Sequence, residues 1–201
     1  EQQKPTAAAY GLIFGSPEAD TRKDKDFYFS GDAWCWRGLV EVGKLLTELG
    51  KQRGDTALAQ RGQALLAEAK AYHRDIMAAA ERSVVPAGEL AYFPPIVGHS
   101  KPLDHMTQDR LASYTNYRYW LEALSARCLG EKIDRMMIDY RVARGGELLG
   151  MTRFGDHLDD WPFYHYADAI LGYDRVREYL LGYFAHIAHH QTRGTFAAYE
   201  Q

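Results

Sequence analysis

Two runs of apolar residues at helical spacing, joined by a Gly-Asp pair, constrain this chain more than any other feature. Leu39, Val42, Leu45, Leu46 and Leu49 recur every three or four positions. So do Leu58, Leu65, Leu66, Ala69, Tyr72, Ile76 and Met77. That period places each set on one face of a helix. Gly54 and Asp55 make the turn between them. The pattern predicts a helix from near Asp32, an N-cap candidate, to Gly50, and a second over 56–82, forming an αα-hairpin. A second pair is expected over 116–128 and 131–143, split by Gly130. The apolar contacts of its latter helix are Ile133, Met136, Met137, Ile138 and Tyr140. A third pair is expected over 162–171 and 174–190, with Pro162 at a first helical turn. No segment alternates with a strand period. The expected fold is all-α, with three antiparallel helical hairpins in one domain over 1–201.

The links inside these hairpins are short and those between them are long. Residues 1–31 are punctuated by Gly11, Gly15, Pro17 and Gly31. Residues 83–112 carry Pro86, Pro94, Pro95 and Pro102, with Tyr92, Phe93, His99 and His105 among them. So long a loop in a compact domain is expected to be ordered and functional. A third long loop opens at Gly145-Gly146. The hairpin pattern gathers these loops at one end of a helical layer, where a rigid scaffold presents its site.

Composition removes several classes of function. The chain has 201 residues, a net charge of −3 and 46% hydrophobic residues. It is therefore a folded domain rather than a disordered segment, and it has no basic excess with which to neutralise nucleic acid. No run approaches the roughly 20 apolar residues that cross a bilayer, and the N-terminus lacks an apolar signal core. Two cysteines, Cys35 and Cys128, are too few for a disulfide scaffold and are expected as buried thiols; their number leaves the compartment open. His186 and His190 share a helix face, but no third ligand stands nearby, so no metal is expected. There is no P-loop, GxGxxG or GxSxG, and no cofactor is expected. The start at Glu1 rather than Met, and the aromatic-rich C-terminus, point to a piece of a longer chain.

Aromatic residues amount to 13% of the chain, and many fall in loops beside carboxylates. The first loop offers Glu18 and Asp20, then Phe27, Tyr28, Phe29, Trp34 and Trp36. The third crowds Glu147, Arg153, Asp156, His157, Asp159, Asp160, Trp161, Tyr164 and His165 together. Sugar sites combine these groups: flat rings cover the C–H faces, while carboxylates, Arg and His take the hydroxyls. Glycoside cleavage also needs two carboxyls on opposite sides of the bond. The plainer alternatives are a solvated turn for Glu18 and Asp20, and an acidic surface loop in which Asp160 caps a helix.

The motifs GSPEADT, DFYFSGDAWCWRGL, NYRYWLEAL, RGGELLGMTRF, DDWPFYHYA and HHQTRGTFAAYEQ together resemble the six-hairpin glycosidase superfamily. The resemblance is diffuse and extends over nearly the whole chain. It implies an (α/α)6 toroid with its site at one end, a carbohydrate substrate, and hydrolysis with inversion. It also implies a general acid in an early small-residue turn, matched by Glu18 or Asp20, and a base in a late tyrosine-flanked segment, matched by Glu200. The two carboxyls would stand about 6.5–9.5 Å apart. Trp34, Trp36, Trp161 and Tyr164 would stack on sugar, while Arg37, Arg153, Asp160 and His165 would hold hydroxyls. Three hairpins make half a toroid, so a homodimer or the remainder of a longer chain is expected to complete it. Two alternatives stay open. One is a non-catalytic glycan-binding module. The other is a polysaccharide lyase using Tyr114, His165 and Arg153, which the net acidic loops disfavour.

Overall fold

The structure, a computed structural model, describes all residues except 1–6, 18–22, 105, 107–108, 160–162, 190, 193, 196 and 198–201. It is mainly helical. Helices α1 (Phe29–Arg53) and α2 (Thr56–Ser83) form the expected antiparallel hairpin. Gly54 closes α1 in the left-handed region at φ 67°, and its N–H reaches the carbonyls of Gly50 and Lys51. Asp55 caps α2 by accepting the N–H of Leu58 at 2.9 Å.

This hairpin is joined along a seam of small residues. A Cβ on Gly62 would lie 2.4 Å from the backbone nitrogen of Thr47, and one on Gly50 would lie 2.4 Å from that of Ala59. Glycine lets the backbones approach this closely. The seam turns part of the apolar stripe outward: Val42 and Leu45 are exposed. Asp32 is not the N-cap. Helix α1 begins three residues earlier, Tyr28 takes the cap position, and Asp32 is buried inside the first turn.

Two small sheets correct the expectation of a chain without strands. Strands β1 (Val85–Ala87) and β2 (Leu90–Tyr92) form a hairpin inside the proline-rich loop. Strands β3 (Glu147–Leu148), β4 (Met151–Phe154) and β5 (His157–Asp159) form an antiparallel meander inside the third long loop. These strands have two to four residues, too few for an alternating pattern to emerge.

The middle helix is composite. Helix α3 (Arg110–Tyr114), capped by Asp109, runs through a π-helical turn over Thr115–Tyr119 into α4 (Trp120–Ala126). Helix α5 (Gly130–Ala143) follows, but it makes its main contacts with β2 rather than with α4. The second expected hairpin is therefore not a packed pair. Helix α4 instead lies against α1 and against α6 (Phe163–Gly172), and α6 packs on α7 (Val176–His189).

One core holds these pieces together. Phe29, Ile76, Tyr92, Phe93, Trp120, Leu121, Leu124, Met137, Ile138 and Ile170 are all buried within it. Two polar side chains in it are satisfied locally: the Trp120 indole donates to the carbonyl of Phe93 at 3.1 Å, and the Tyr140 hydroxyl donates to that of Leu103 at 2.9 Å. Loop 83–112 thus contributes core, not only surface.

The β3–β5 meander is pinned from beneath. The fully buried Arg141 guanidinium donates to the carbonyl of Asn116 and to the Thr152 hydroxyl, both at 3.0 Å. It also lies 4.3 Å from the Tyr166 ring centroid. The Asn116 amide donates to the carbonyls of Gly146 and Arg153. Gly150 abuts Gly182 of α7, where an added Cβ would lie 2.5 Å from the Gly182 Cα.

Candidate functional site

A cavity of about 410 Å³ opens where the N-terminal segment crosses the start of α1. Ile13, Ser16, Pro17, Asp26 and Tyr28 form one side. Ser30, Gly31, Asp32, Trp34 and Cys35 of α1, with Glu122 of α4, form the other. Its volume is that of a small-molecule site. The packing of α4 on α1 carries Glu122 to the cavity wall.

Two carboxyls dominate its electrostatics. Burial pushes Asp32 up to about 6, against the opposing effect of the Ile13 N–H and the Tyr72 hydroxyl, which both donate to Oδ1. Burial pushes Glu122 higher, to about 7, although the Arg118 guanidinium 3.7 Å away and the Ser30 hydroxyl favour its charged form. Burial thus moves both carboxyls up toward neutral pH. Cys35 is pushed up by burial and by the charge of Asp32. It is a free thiol on an exposed residue, so only Cys128 fulfils the expectation of a buried thiol.

A chain of rings starts at the cavity wall with Trp34. Trp34 is 42% exposed and stands edge-on to His165, with ring centroids 6.1 Å apart. Tyr164, 60% exposed, lies against the other part of the same imidazole at 3.8 Å. Burial and then Arg118 hold His165 down to about 4, so it is neutral at physiological pH.

The structure brings together part of the set expected from sequence. Trp34 lines the cavity, His165 stands against Trp34, and Tyr164 stands against His165. Trp36, two residues on, turns to the opposite side of α1 and stacks on His73 at 5.0 Å. Arg37 is paired with Glu41 along the exposed face of α1 at 3.1 Å. Arg153 donates to the carbonyl of Gly145 at 2.8 Å and so supports the meander. Glu18, Asp20, Asp160, Trp161 and Glu200 lie outside the described residues. His186 is engaged by the Gln191 amide at 3.0 Å and stacks on Phe163. No group of three His, Cys, Asp or Glu side chains suited to a metal is found among the described residues. Among them, no helix is long and apolar enough to cross a membrane.

Sequence reading missed Glu122 and Arg118 and misassigned Asp32. The available signal was a charged i, i+4 pair inside NYRYWLEAL, where the neighbours Trp120, Leu121, Ala123 and Leu124 are all apolar. Charges so placed on a helix are either buried or at a site.

Three carboxyls raised by burial dominate the pH dependence of stability above about pH 5, against a smaller contribution of opposite sign from His165. Asp32 and Asp134 rise to about 6 and Glu122 to about 7, all through burial. A carboxyl with a raised native pKa binds its proton more tightly when folded. Below about pH 4 both states are protonated and nothing is lost. Stability then falls as pH rises, until the native groups have ionised near pH 7. The chain is expected to melt at a higher temperature at pH 5 than at pH 8. Asp32→Asn keeps an acceptor for Ile13 and is expected to recover on the order of 2 kcal/mol at pH 8, and almost none at pH 4. Thermal melts of both proteins across that range check this; equal gains at the two pH values would exclude the cause given.

No family model, curated protein or solved structure matches this chain.

Proposed function

We propose that this chain is a glycoside hydrolase domain acting on a poly- or oligosaccharide by general acid/base catalysis. The observation that supports this best is the cavity itself, where two carboxyls raised by burial stand with an exposed tryptophan in one lining. Glu122 is assigned as the proton donor to the glycosidic oxygen, since burial raises it to about 7. Asp32 is the ionised partner. Trp34 and Tyr164 cover the sugar's apolar faces, and His165 contacts hydroxyls. The family resemblance adds a second set, Glu18 or Asp20 with Glu200. Ser16 and Pro17, which precede Glu18 in the chain, line the same cavity. In this reading the helices belong to an (α/α)6 toroid, and a second copy or further chain completes the ring. The apolar side chains of α7, among them Leu180, Leu181 and Phe184, are exposed for that packing.

Release of reducing ends from a glycan panel tests the proposal. Glu122→Gln is expected to lower the rate by about 10²–10⁴-fold with the fold retained. The wild-type rate is expected to peak between about pH 6 and 7, falling on the acid side as Asp32 protonates and on the alkaline side as Glu122 loses its proton. Loss of activity in Glu18→Gln or Glu200→Gln, with Glu122→Gln active, would transfer the chemistry to the second carboxyl set. Binding of glycans without release by any preparation would favour the non-catalytic module, which the exposed rings of Trp34 and Tyr164 also suit.

A further inference from the structure

Helix α7 has one packed face and one exposed face. Gly182 and Ala185 are buried, Gly182 lies against Gly150, and Phe163 stacks on His186. On the other face Val176, Leu180, Tyr183 and Ile187 recur at intervals of four, three and four residues. That spacing is the seam of a two-helix coiled coil. Val176, Leu180 and Tyr183 are exposed along it, Ile187 is half-buried, and Leu181 and Phe184 are exposed at its margin, Phe184 by 63%. Leu148 and Leu149, in the turn that leads to Gly150, are exposed beside the same helix. These seven large exposed side chains, each about half open and of roughly 200 Å² when fully open, present about 700 Å². The largest apolar patch of a lone chain is about 300–600 Å², and a stable pair takes about 800 Å² from each partner.

The charges of α7 select the partner. Charged residues make up 25% of the chain, yet residues 179–189 hold no Asp, Glu, Lys or Arg. Glu178 is engaged by Arg175 at 2.9 Å. Arg177 is the single Lys or Arg of α7. A helix that lies in a membrane interface lines its polar margin with several such residues, so a lipid surface is disfavoured. A second copy of the helix fits when it runs antiparallel. With Leu180 opposite the second copy's Tyr183, Val176 falls opposite its Ile187, and every seam position meets an apolar one. The two Arg177 side chains then start about 14 Å apart along the seam, beyond a screening length of about 8–10 Å. A parallel pair sets Arg177 beside its own copy and aligns the two helix dipoles unfavourably.

We propose that two copies of this chain associate through α7, antiparallel across a two-fold axis, with Leu180 and Tyr183 at the centre of the contact. Association through α7 is independent of what the cavity binds, so its test needs no sugar. Sedimentation velocity of the whole chain over about 1–100 μM is expected to show a concentration-dependent dimer. Phe184→Glu is expected to raise the dimer Kd by at least about 30-fold with helicity retained. Leu180→Glu gives a second reading at the centre of the seam. Leu45→Glu, on the exposed part of α1, is expected to leave the dimer unchanged. In a Cys35→Ser background, chains carrying Val176→Cys and chains carrying Ile187→Cys are expected to crosslink when mixed and not when alone. A chain that stays monomeric at the highest concentration overturns the assignment. So does a dimer that is lost in Leu45→Glu and kept in both α7 variants. Crosslinking of either cysteine variant with itself, but not of the mixture, overturns the antiparallel contact. A monomer that binds vesicles of mixed neutral and anionic phospholipid also overturns it and assigns α7 to a lipid surface. A dimer that releases no sugar leaves this contact standing and sinks the glycan reading alone; a monomer that releases sugar does the reverse.

Discussion

Arg141→Leu is expected to destabilise the chain by about 3–5 kcal/mol, a drop of about 10 °C or more in Tm for a domain of this size. The guanidinium is fully buried and does three jobs at once. It satisfies the carbonyl of Asn116 inside the π turn, satisfies the Thr152 hydroxyl on β4, and covers the Tyr166 ring. Leucine fills much of the space and replaces none of the donors. Two buried oxygens then lose the guanidinium donor, at about 1–3 kcal/mol for each one left unsatisfied. The charged arginine is itself disfavoured by burial, which lowers its affinity for the proton, so part of the loss is offset. Arg144→Leu is the control. That side chain reaches the carbonyl of Ala87 at 3.3 Å from an exposed position, and its replacement is expected to stay within about 0.5 kcal/mol. A Tm shift for Arg141→Leu no larger than that of the control would mean that the meander does not depend on the guanidinium.

Gly62→Ala is expected to cost about 3 kcal/mol, opposite in sign to the usual effect of alanine within a helix. Glycine in a helix interior normally loses about 0.5–1 kcal/mol relative to alanine. At Gly62 the new methyl would lie 2.4 Å from the Thr47 nitrogen and 2.7 Å from the Gly43 carbonyl oxygen. Neither is a flexible side-chain end, so the two helices must separate along the seam. Gly38 lies on α1 with nothing within 4 Å of its would-be Cβ. Gly38→Ala is therefore expected to stabilise by about 0.5–1 kcal/mol. Chemical denaturation of the two variants separates intrinsic propensity from packing. Two stabilised proteins would mean that the hairpin seam is looser than described.

These two sites show what could be read from residues alone. The α1–α2 hairpin was legible because local rules agree on it: periodicity, the Gly54 stop and the Asp55 cap all act within a few residues. That Gly43, Gly50 and Gly62 rather than the leucines carry the contact was not legible. Backbone-to-backbone approach leaves only an absence of side chains in the sequence. The short strands were missed because a two- to four-residue strand is specified by its partners and by Arg141, all distant in the chain. The aromatic side of the candidate site was read in part. Trp34 and Trp36 look alike in sequence, and only the helical 200° between them decides that one faces the cavity and the other stacks on His73. The acidic side was read at Glu18, Asp20 and Glu200, whereas the described carboxyls at the cavity are Asp26, Asp32 and Glu122. Asp32 was mistaken for a cap because a helix start and a buried site both favour aspartate after a turn. Glu122 came from a helix that looked like core, and its role depends on which neighbour α4 packs against.

The π turn at Thr115–Tyr119 fixes an angular relation along the middle helix. Its wider winding holds one residue more than an α-helical turn would, and each residue of α-helix advances by about 100°. The turn thus sets the phase of everything after it. Within it, Asn116 is oriented to hold the meander. After it, Trp120 is directed to Phe93 and Glu122 to the cavity. A chain shortened by one residue here would wind more regularly and gain local helix stability. It would also present α4 about 100° out of phase, with the indole and the carboxyl exchanged for neighbours that fit neither place. The irregular turn is the gearing by which a single helix serves the core on one face and the cavity on another.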